Sequence, residues 1–352
     1  MKVFLFTYSK LNFGDDLFIK LLLDKYPNID FEMHIKDIYT KPFKNYKNAT
    51  FLDYKEKLKS DRLNSIDTDK YDCYVYIGGS IFMEHCDNGI LGLKLFTEFI
   101  KKVKSKGKPF YYINCNFGPY KTNEYLNVAN QLFNECEDIC FRDKTSFDLF
   151  NTNKKRYAKD SVYMLKEIKR NIVKNTVGIS VISIENREDL KKYNDEYIKL
   201  LRNNIKYYID NGKEIYLYSF CEHEKDLEQI NNIYQKFSSE YNKKIKIVNY
   251  NGDIDKYLDL YASMEYMMCT RFHSMILSSC IGQKYTVLSY SNKIDTVMKE
   301  YKLSGNIDKI QNINENKIFE LNIYKEDKNI DFYKDAKKQF AAFDKFVNKG
   351  LK

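Results

Sequence analysis

The sequence lacks several features that would assign it to a particular class of protein. It has no run of about 18 consecutive apolar residues, so no membrane-spanning helix is expected. Its eight cysteines include no Cys-x-x-Cys pair and lie mostly in apolar runs, so a zinc site is not expected. The net charge of +9 is spread without a long basic block. This charge favours acidic ligands or an anionic membrane surface over nucleic acid.

The composition is that of a globular protein large enough for two domains. Of the 352 residues, 43% are hydrophobic and 30% are charged, a balance that supports folded cores rather than disorder. The apolar start, residues 1–8, is too short for a signal peptide and is followed by Asn12, Asp15 and Asp16. We therefore expect a cytoplasmic protein, and peripheral contact with the inner face of the cell membrane stays open.

Strand and helix patterns alternate along most of the chain. Short apolar runs typical of buried strands occur at 2–8, 71–77, 109–115 and 266–269, and helical spacing lies between them. This alternation predicts α/β domains, in which helices cover both faces of a parallel sheet. Residues 151–172, rich in Asn, Lys and Arg, are interpreted as the linker between two such domains.

The stretch after Tyr266–Cys269 carries the strongest indication of a functional site. Thr270 is a suitable N-cap, and the apolar residues that follow it fall on one helix face. Arg271 and His273 then lie in the first helical turn, where unpaired N–H groups and the helix dipole already favour an anion. A cation there indicates a phosphate or carboxylate ligand, with His273 placed to move a proton. The alternatives are that Arg271 pairs with a structural carboxylate and that His273 is a core residue.

Other candidate residues lie where predicted strands end, which is the edge at which open α/β sheets bind ligands. Gly14 before Asp15, and the pair Gly78 and Gly79, allow tight turns and a close approach of backbone to a ligand. Arg142 stands where another strand passes into a helix. Each also has a structural explanation, namely a capped turn, a tight loop or an ion pair with a neighbouring acid.

Five short motifs occur together in the order and at the spacing of one protein family. They are Asn12-x-Gly14-Asp15, Gly78-Gly79-Ser80, Gly118-Pro119, Arg142-Asp143-x-x-Ser146, and Arg271-x-His273-Ser274 with Tyr290-x-x-Lys293. Over residues 8–300 the chain resembles the polysaccharide pyruvyl transferase family. One departure is that the family commonly has three glycines where this chain has Ile77, Gly78 and Gly79.

The resemblance implies two Rossmann-like domains that face each other across a cleft, as in the B-type glycosyltransferases. The expected boundaries are 1–165 for the acceptor side, 170–310 for the donor side and 311–352 for a tail, whose helix is hypothesised to pack back on the first domain. It also implies an enzyme that transfers a pyruvyl group from phosphoenolpyruvate to a saccharide acceptor of a cell-surface polysaccharide or its precursor, as a ketal. No metal and no organic cofactor is implied, and lipid linkage of the acceptor stays open.

The family's motifs assign roles to individual residues of this chain. The Arg-Asp-x-x-Ser and Arg-x-His motifs are associated with the donor, which implies that Arg142, Arg271 and His273 contact phosphoenolpyruvate. Arginines suit its carboxylate and phosphate, and His273 is expected to be the general acid because imidazole titrates near neutral pH. Asp15 is the candidate base or acceptor contact, and Lys293 either neutralises phosphate charge or lies in solvent. The other expected substrate-binding residues are Asn12, Gly14, Gly78, Gly79, Ser80 and Ser274.

Two other functions would fit the same fold. A glycosyltransferase with a nucleotide-sugar donor would place a diphosphate at the basic helix start, although no pair of glutamates suited to a ribose appears late in the second domain. A non-catalytic carbohydrate- or phosphate-binding relative would keep the fold and lose turnover. The presence of Arg142, Arg271 and His273 argues against that last reading.

Overall fold

The chain forms two α/β units, each built on one parallel sheet. The computed structural model describes residues 1–53, 58–84, 89–165, 168, 170–303, 305–323 and 332–350. The first unit comprises Met1–Ser9, Asp15–Met164 and Phe332–Lys352, and the second comprises Lys10–Gly14 and Leu165–Asp331. This division differs from the expected boundaries, because residues 10–14 group with the second unit and the C-terminal segment groups with the first.

Among the described residues, the first sheet has seven parallel strands. Along the chain they are β1 (Lys2–Thr7), β2 (Asp30–His34), β3 (Ala49–Leu52), β4 (Cys73–Ile77), β5 (Phe110–Cys115), β6 (Asp138–Phe141) and β7 (Lys155–Tyr157). Their order across the sheet is β3-β2-β1-β4-β5-β6-β7. The strand order therefore reverses between β1 and β4, and sheets of this kind bind ligands beyond the carboxyl ends of such strands.

In the part of the chain that the structure describes, the second sheet has six parallel strands. They are β8 (Val173–Val181), β9 (Glu214–Ser219), β10 (Ile245–Asn249), β11 (Met264–Cys269), β12 (Lys284–Ser289) and β13 (Asn306–Lys309). Their order is β10-β9-β8-β11-β12-β13, so the reversal lies between β8 and β11. The sequence patterns did not indicate β3 or β13, because both are edge strands with partly exposed side chains and no continuous apolar run.

Helices alternate with the strands in both units. They are α1 (Phe13–Lys25), α2 (Lys59–Asn64), α3 (Ile90–Lys104), α4 (Asn123–Glu135), α5 (Lys144–Asp148), α6 (Asn194–Asp210), α7 (Asp226–Tyr234), α8 (Ser239–Asn242), α9 (Ile254–Ala262), α10 (Phe272–Cys280), α11 (Asn292–Tyr301), α12 (Tyr333–Ala336) and α13 (Ala341–Gly350). Among the described residues, no helix combines the length and apolar character needed to cross a membrane.

Aromatic side chains dominate the core of the first unit between its sheet and helices α3 and α4. The ring of Phe110 on β5 stacks with Tyr74 at 6.2 Å between centroids, and Phe99 of α3 meets Tyr74 edge-on at 5.3 Å. On the α4 side, Phe133 lies 4.9 Å from Phe82. Each such fully buried ring contributes about 1.5–3 kcal/mol relative to exposure, so the strand ends that carry the loops are held firmly.

The C-terminal helix α13 packs within the first unit. The ring of Phe343 lies 4.9 Å from Tyr26 and 5.6 Å from Tyr111. Beside it, Asp344 accepts hydrogen bonds from the Lys25 ammonium at 2.7 Å and from the Tyr26 hydroxyl at 2.8 Å. Apolar contact and two polar contacts therefore fix the end of the chain against α1 and β5.

The linker interpretation of residues 151–172 is wrong for the first half of that stretch. Lys155–Tyr157 form β7, which pairs with β6, and Asp160 is completely buried. The chain passes from the first unit to the second at Leu165. The polar sequence was misleading because β7 is a short edge strand whose three side chains are all half-buried.

Candidate functional site

In the first unit, residues from three strand ends meet around the guanidinium of Arg142. This side chain follows β6, is only 2% exposed, and donates to the side-chain oxygen of Asn116 at 2.7 Å. The Ser80 hydroxyl donates to that same oxygen at 3.1 Å. A Cβ atom on Gly79 would lie 2.6 Å from the guanidinium, so glycine is required for Arg142 to reach this place. The structure thus brings Gly79, Ser80 and Arg142 together, as one cluster at the carboxyl edge of the sheet.

The charge of Arg142 is balanced by a carboxylate that the sequence did not single out. Its Nη1 atom donates to Asp160 Oδ2 at 2.9 Å, and both side chains are buried. The other oxygen of Asp160 accepts from the backbone N–H of Val162 at 2.9 Å. Burial raises the pKa of Asp160, and the neighbouring Arg142 charge opposes that rise. The adjacent acid, Asp143, instead caps α5 by accepting from the N–H of Ser146.

Gln339, in the C-terminal segment, forms hydrogen bonds with the backbone around this cluster. The side-chain oxygen of Gln339 accepts from the N–H of Asn114 at 2.9 Å, and its amide group donates to the carbonyl of Ala158 at 2.9 Å. Asn114 has a positive φ of 65° and accepts from the N–H of Ser161 at 2.7 Å. Gln339 therefore fixes the end of β5 and both backbone segments that flank Asp160.

Two further candidates of the first unit lie at turns. Gly78 donates its N–H to the carbonyl of Ile113 at 3.3 Å, and a Cβ atom on it would lie 2.7 Å from Ile81. Asp15 is in the first turn of α1 and is half-buried, whereas its neighbour Asp16 is only 1% exposed. Of the two acids, Asp15 is therefore the one that a ligand could reach.

In the second unit, helix α10 begins one residue later than the sequence pattern indicated. The N-cap is Arg271, and Thr270 is not the cap. The N–H of Thr270 donates to the Ser180 hydroxyl oxygen at 2.8 Å, and its own hydroxyl donates to the Ser180 carbonyl. Thr270 therefore ties the end of β11 to the neighbouring strand β8, which no local pattern reveals. His273 remains in the first turn, as expected from the spacing.

The guanidinium of Arg271 is occupied by two carboxylates. Its Nε and Nη2 atoms both donate to Asp226, the first at 2.9 Å, and Nη1 donates to Glu224 at 2.6 Å. Asp226 is 0% exposed and also accepts from the N–H groups of Phe220 and Cys221. The structural alternative for Arg271 is thus the observed one. Charge pairing inside the unit thus uses three of its nitrogens, and a direct contact of this guanidinium with a ligand stays a prediction.

Residues 10–14 pack against the loops of the second unit. The ring of Phe13 lies 4.4 Å from Tyr257 and 5.5 Å from Phe220. The amide group of Asn12 donates to Glu224 at 3.2 Å, and its oxygen accepts from the N–H of Gly14 at 3.1 Å. Asn12 therefore links this loop to the Arg271 ion pairs, and its expected contact with substrate stays a prediction.

Gly14 lies directly against the imidazole of His273. A Cβ atom at this position would overlap the ring at Nδ1, so any larger residue would displace His273. On another side, the ring of Phe272 meets the imidazole edge-on at 5.2 Å. The backbone of Gly14 and the Phe272 ring therefore hold His273 in place, which gives Gly14 a role as a positioning residue.

Positive charge accumulates at the carboxyl edge of the second sheet. The Lys293 ammonium lies 5.1 Å from the centroid of the Phe272 ring, and the Arg187 guanidinium lies 4.8 Å above the Tyr290 ring. Burial alone would raise the pKa of Tyr290, but the charges of Lys293, Arg187 and Arg271 lower it. This edge is therefore suited to an anion.

The pKa of Glu224 is lowered by the same positive charges. Burial on its own would raise the pKa of its carboxyl group, yet Arg271, Arg187 and Lys293 lower that pKa to about 2. In contrast, burial raises the pKa of Asp226 to about 6 against the opposing pull of Arg271. The two carboxyl groups hold Arg271 between them.

Ser274, an expected substrate-binding residue, lies inside the second unit. Ser274 is completely buried, and its hydroxyl lies 2.8 Å from the hydroxyl of Tyr261. That tyrosine also contacts the Ser278 hydroxyl at 2.8 Å. The Ser274 side chain thus joins the core behind α10, because the first helical turn directs it inward.

Sequence reasoning missed four residues that shape these two clusters. They are Asp160, Glu224, Asp226 and Arg187. Each follows a β-strand in the chain, and that position is the one local signal that could have drawn attention to it. Within the described ranges, no three His, Cys, Asp or Glu side chains converge as metal ligands.

Two solved structures share the fold of this chain. The S. aureus MnaA–UDP co-structure gives a TM-score of 0.60 at 12% identity, covering 99% of this chain and 94% of its own. The UDP-GlcNAc 2-epimerase of Methanocaldococcus jannaschii gives 0.59 at 13% identity, covering 97% and 99%. These similarities confirm the expected fold class, two Rossmann-like parallel-sheet domains of the kind found in B-type glycosyltransferases and these epimerases.

Sequence comparisons lead to a family. The amylovoran biosynthesis protein AmsJ of Erwinia amylovora is 22% identical over 319 residues, which cover 84% of this chain and 73% of that protein. The model of the family described as polysaccharide pyruvyl transferase matches residues 12–292, a range that contains all the candidate site residues except Lys293. The chain therefore belongs to the polysaccharide pyruvyl transferase family.

Proposed function

We propose that this protein transfers a pyruvyl group from phosphoenolpyruvate to two hydroxyls of a saccharide in a cell-surface polysaccharide or its precursor. The observation that carries the proposal is the position of His273, in the first turn of α10 and beside a cluster of cations. Family membership and the similarity to AmsJ support a role in polysaccharide biosynthesis. A cytoplasmic location goes with this proposal, and the acceptor is either free or lipid-linked.

The second unit is the proposed donor side. Phosphoenolpyruvate carries a phosphate and a carboxylate, and helices α10 and α11 both begin at the carboxyl edge of this sheet. Lys293 lies in the first turn of α11, where the helix N-terminus adds to its attraction for an anion. Arg271 supports donor binding through its charge and through the loops that it holds by way of Asp226 and Glu224.

His273 is the proposed general acid for ketal formation. It donates a proton to the methylene carbon of phosphoenolpyruvate, which becomes the methyl group, while positive charge develops on the neighbouring carbon. One sugar hydroxyl adds to that carbon and gives up its proton to a base, for which Asp15 is the candidate. The second hydroxyl then replaces phosphate at the same carbon, and its proton leaves with the phosphate. The products are the pyruvate ketal and inorganic phosphate, so two hydroxyl protons account for the methyl hydrogen and the phosphate proton.

The first unit is the proposed acceptor side. Around Arg142 it offers neutral hydrogen-bonding groups, from Ser80, Asn116 and the backbone at Gly79, rather than an excess of cations. Such groups suit the hydroxyls of a sugar. The buried pair of Arg142 and Asp160 gives this cluster a fixed frame. Because Arg142 belongs to the first unit, we assign it to the acceptor, in place of the donor contact that the resemblance implies.

The test is ligand stabilisation, because a ligand that binds only the folded state raises the melting temperature. Phosphoenolpyruvate and a panel of nucleotide sugars are compared on the wild type and on Lys293→Gln. Arg271→Ala is a poor probe, since it would leave Asp226 and Glu224 without their cation. Phosphoenolpyruvate is expected to stabilise the wild type, and to stabilise Lys293→Gln much less.

The control is Lys299→Gln, a substitution in the last turn of α11, far along the same helix. It should leave phosphoenolpyruvate binding unchanged. Stabilisation by a nucleotide sugar alone would show a glycosyltransferase donor site and contradict the proposal. A supporting result is followed by NMR detection of a new methyl signal when candidate saccharides and phosphoenolpyruvate are incubated with the enzyme.

A further inference from the structure

Arg187 occupies a place at which parallel sheets bind ligands. It lies in the loop after β8, and the strand order of the second sheet reverses between β8 and β11. Its side chain is 35% exposed, in contrast to Arg271, whose side chain is 8% exposed. No family motif identified in the sequence contains Arg187. A charged side chain at this position is placed to contact a ligand.

The contacts of Arg187 orient the guanidinium and leave its hydrogen-bonding capacity largely unused. The group stacks over the Tyr290 ring at 4.8 Å, and its Nη2 atom lies 3.7 Å from Glu224, too far for a hydrogen bond. Among the described residues its guanidinium donates no hydrogen bond. Glu224 meanwhile accepts a short bond from Arg271 at 2.6 Å. The carboxylate is therefore already engaged by Arg271, and the planar donors of Arg187 stay available.

The charged side chains near Arg187 favour an anionic ligand. Arg271, Arg187 and Lys293 all act on Glu224 and together lower the pKa of that carboxyl group. The same three cations lower the pKa of the Tyr290 hydroxyl, although burial opposes this. Asp226 and Glu224 together can offset two of the three cations. An excess of positive charge at a partly exposed edge favours an anionic ligand, and arginine binds phosphate through two parallel hydrogen bonds.

We propose that Arg187 binds the phosphate of the donor, with the Tyr290 ring as the platform that holds its guanidinium in place. This inference rests on the proposed function, which supplies phosphoenolpyruvate as the donor. Arg271 and Arg187 then have different roles in the second unit. Arg271 holds the loops together through its carboxylate partners, and Arg187 contacts the ligand.

The experiment measures ligand affinity by calorimetry for the wild type, Arg187→Gln, Arg187→Lys and the control Lys191→Gln. Lys191 lies in the same loop, is exposed and pairs with Glu188 at 2.8 Å, so its replacement changes net charge equally. The ligands are phosphoenolpyruvate, inorganic phosphate and pyruvate. Arg187→Gln should weaken binding of phosphoenolpyruvate and phosphate about 10- to 100-fold, the loss expected for a charge-assisted hydrogen bond.

Arg187→Lys should fall between the wild type and Arg187→Gln, because lysine keeps the charge and loses the planar pair of donors. Pyruvate binding and the melting temperature of the unliganded protein should stay unchanged in both variants. Lys191→Gln should match the wild type throughout. This pattern would separate a ligand contact from a general effect of charge or from a structural role.

Three results would overturn the inference. Equal binding of phosphoenolpyruvate by the wild type and Arg187→Gln would exclude the contact. An equal loss of pyruvate binding would assign Arg187 to the carboxylate, and an equal effect of Lys191→Gln would reduce the contribution to long-range charge. Failure of the proposed function would give a different pattern of ligand binding. In that case a nucleoside diphosphate, and not phosphoenolpyruvate, binds the wild type, and Arg187→Gln still weakens it, which would support Arg187 as a phosphate contact.

Discussion

Arg142 in the first unit and Arg271 in the second have the same appearance in the sequence but different surroundings in the structure. Each follows a parallel strand and precedes a helix, and each is almost completely buried. Arg142 is held by one carboxylate, Asp160, and one neutral amide, Asn116. Arg271 is held by two carboxylates, and further cations lie beside it. The comparison shows that a strand-end arginine does not by itself mark where a ligand's charge is bound.

Each of these units also uses a glycine to make room for a functional side chain. A Cβ atom on Gly79 would contact the Arg142 guanidinium, and one on Gly14 would overlap the His273 imidazole. These close approaches place the arginine of the first unit and the histidine of the second against backbone, where packing fixes their orientation. The glycines in the motifs therefore have a steric explanation as well as a conformational one.

The largest effect is expected from Arg271→Met, which would leave Asp226 and Glu224 without their cation. Removing one partner of a buried ion pair costs about 3–5 kcal/mol of stability, because the remaining charge is buried without compensation. Urea unfolding followed by circular dichroism would measure the change, since the chain contains no tryptophan to report by fluorescence. Adding Asp226→Asn should recover part of the loss. A variant as stable as the wild type would contradict the structural role of Arg271.

Arg142→Met should cost less, about 3 kcal/mol, because a single carboxylate is left unpaired. Burial already raises the pKa of Asp160, and loss of Arg142 should raise it further, so the folded variant takes up a proton that the unfolded chain releases. The stability difference from the wild type should therefore shrink as the pH falls from about 8 to about 5. Urea unfolding across that range measures it, and a gap independent of pH would refute the buried pair. Arg142→Met with Asp160→Asn should restore most of the stability.

Gly14→Ala should cost about 1–3 kcal/mol, as overpacking of a close contact usually does, and should abolish the activity that depends on His273. The cause would be displacement of the imidazole by the new Cβ atom. The double variant with His273→Ala should recover the stability but not the activity, because the clash is gone. Melting temperatures of the four proteins in this cycle provide the measurement. Additive effects of the two substitutions would contradict the contact.

The smallest effect is expected from Gln339→Met, which replaces the amide by an apolar chain of similar size. Asn114 and Ala158 would lose hydrogen-bond partners in a buried place, at a cost of about 1–2 kcal/mol. If Gln339 positions the Arg142 cluster, acceptor KM should rise while the affinity for phosphoenolpyruvate stays constant. Lys338→Met, at the exposed neighbour, is the control. A change in donor affinity instead would contradict the assignment of this cluster to the acceptor.

The sequence was most informative where structure depends on local periodicity. Continuous apolar runs predicted the central strands β1, β4, β5 and β11, because strands buried on both faces need apolar residues at every position. Edge strands β3 and β13 escaped prediction, since water or loops cover one side and polar residues are tolerated there. The position of His273 in a first helical turn was also predictable from spacing alone.

Interactions between distant strand ends were not predictable in the same way. Arg142 pairs with Asp160, which lies 18 residues later in the chain, and Arg271 pairs with Asp226, which lies 45 residues earlier. No periodic pattern connects such residues, because their proximity follows from which strands are neighbours in the sheet. The same reason explains why Thr270 serves β8 rather than capping α10.

The sequence by itself therefore determined the two parallel-sheet units, the family and the strand ends at which candidate residues cluster. Only the tertiary structure decided that residues 10–14 belong to the second unit, that Arg271 is paired with two acids, and that Arg187 lies exposed above Tyr290. The physical reason is the separation along the chain of the residues that each effect involves. Hydrophobic periodicity is a property of neighbouring residues, whereas charge pairing depends on distances that exist only after the strands are in order.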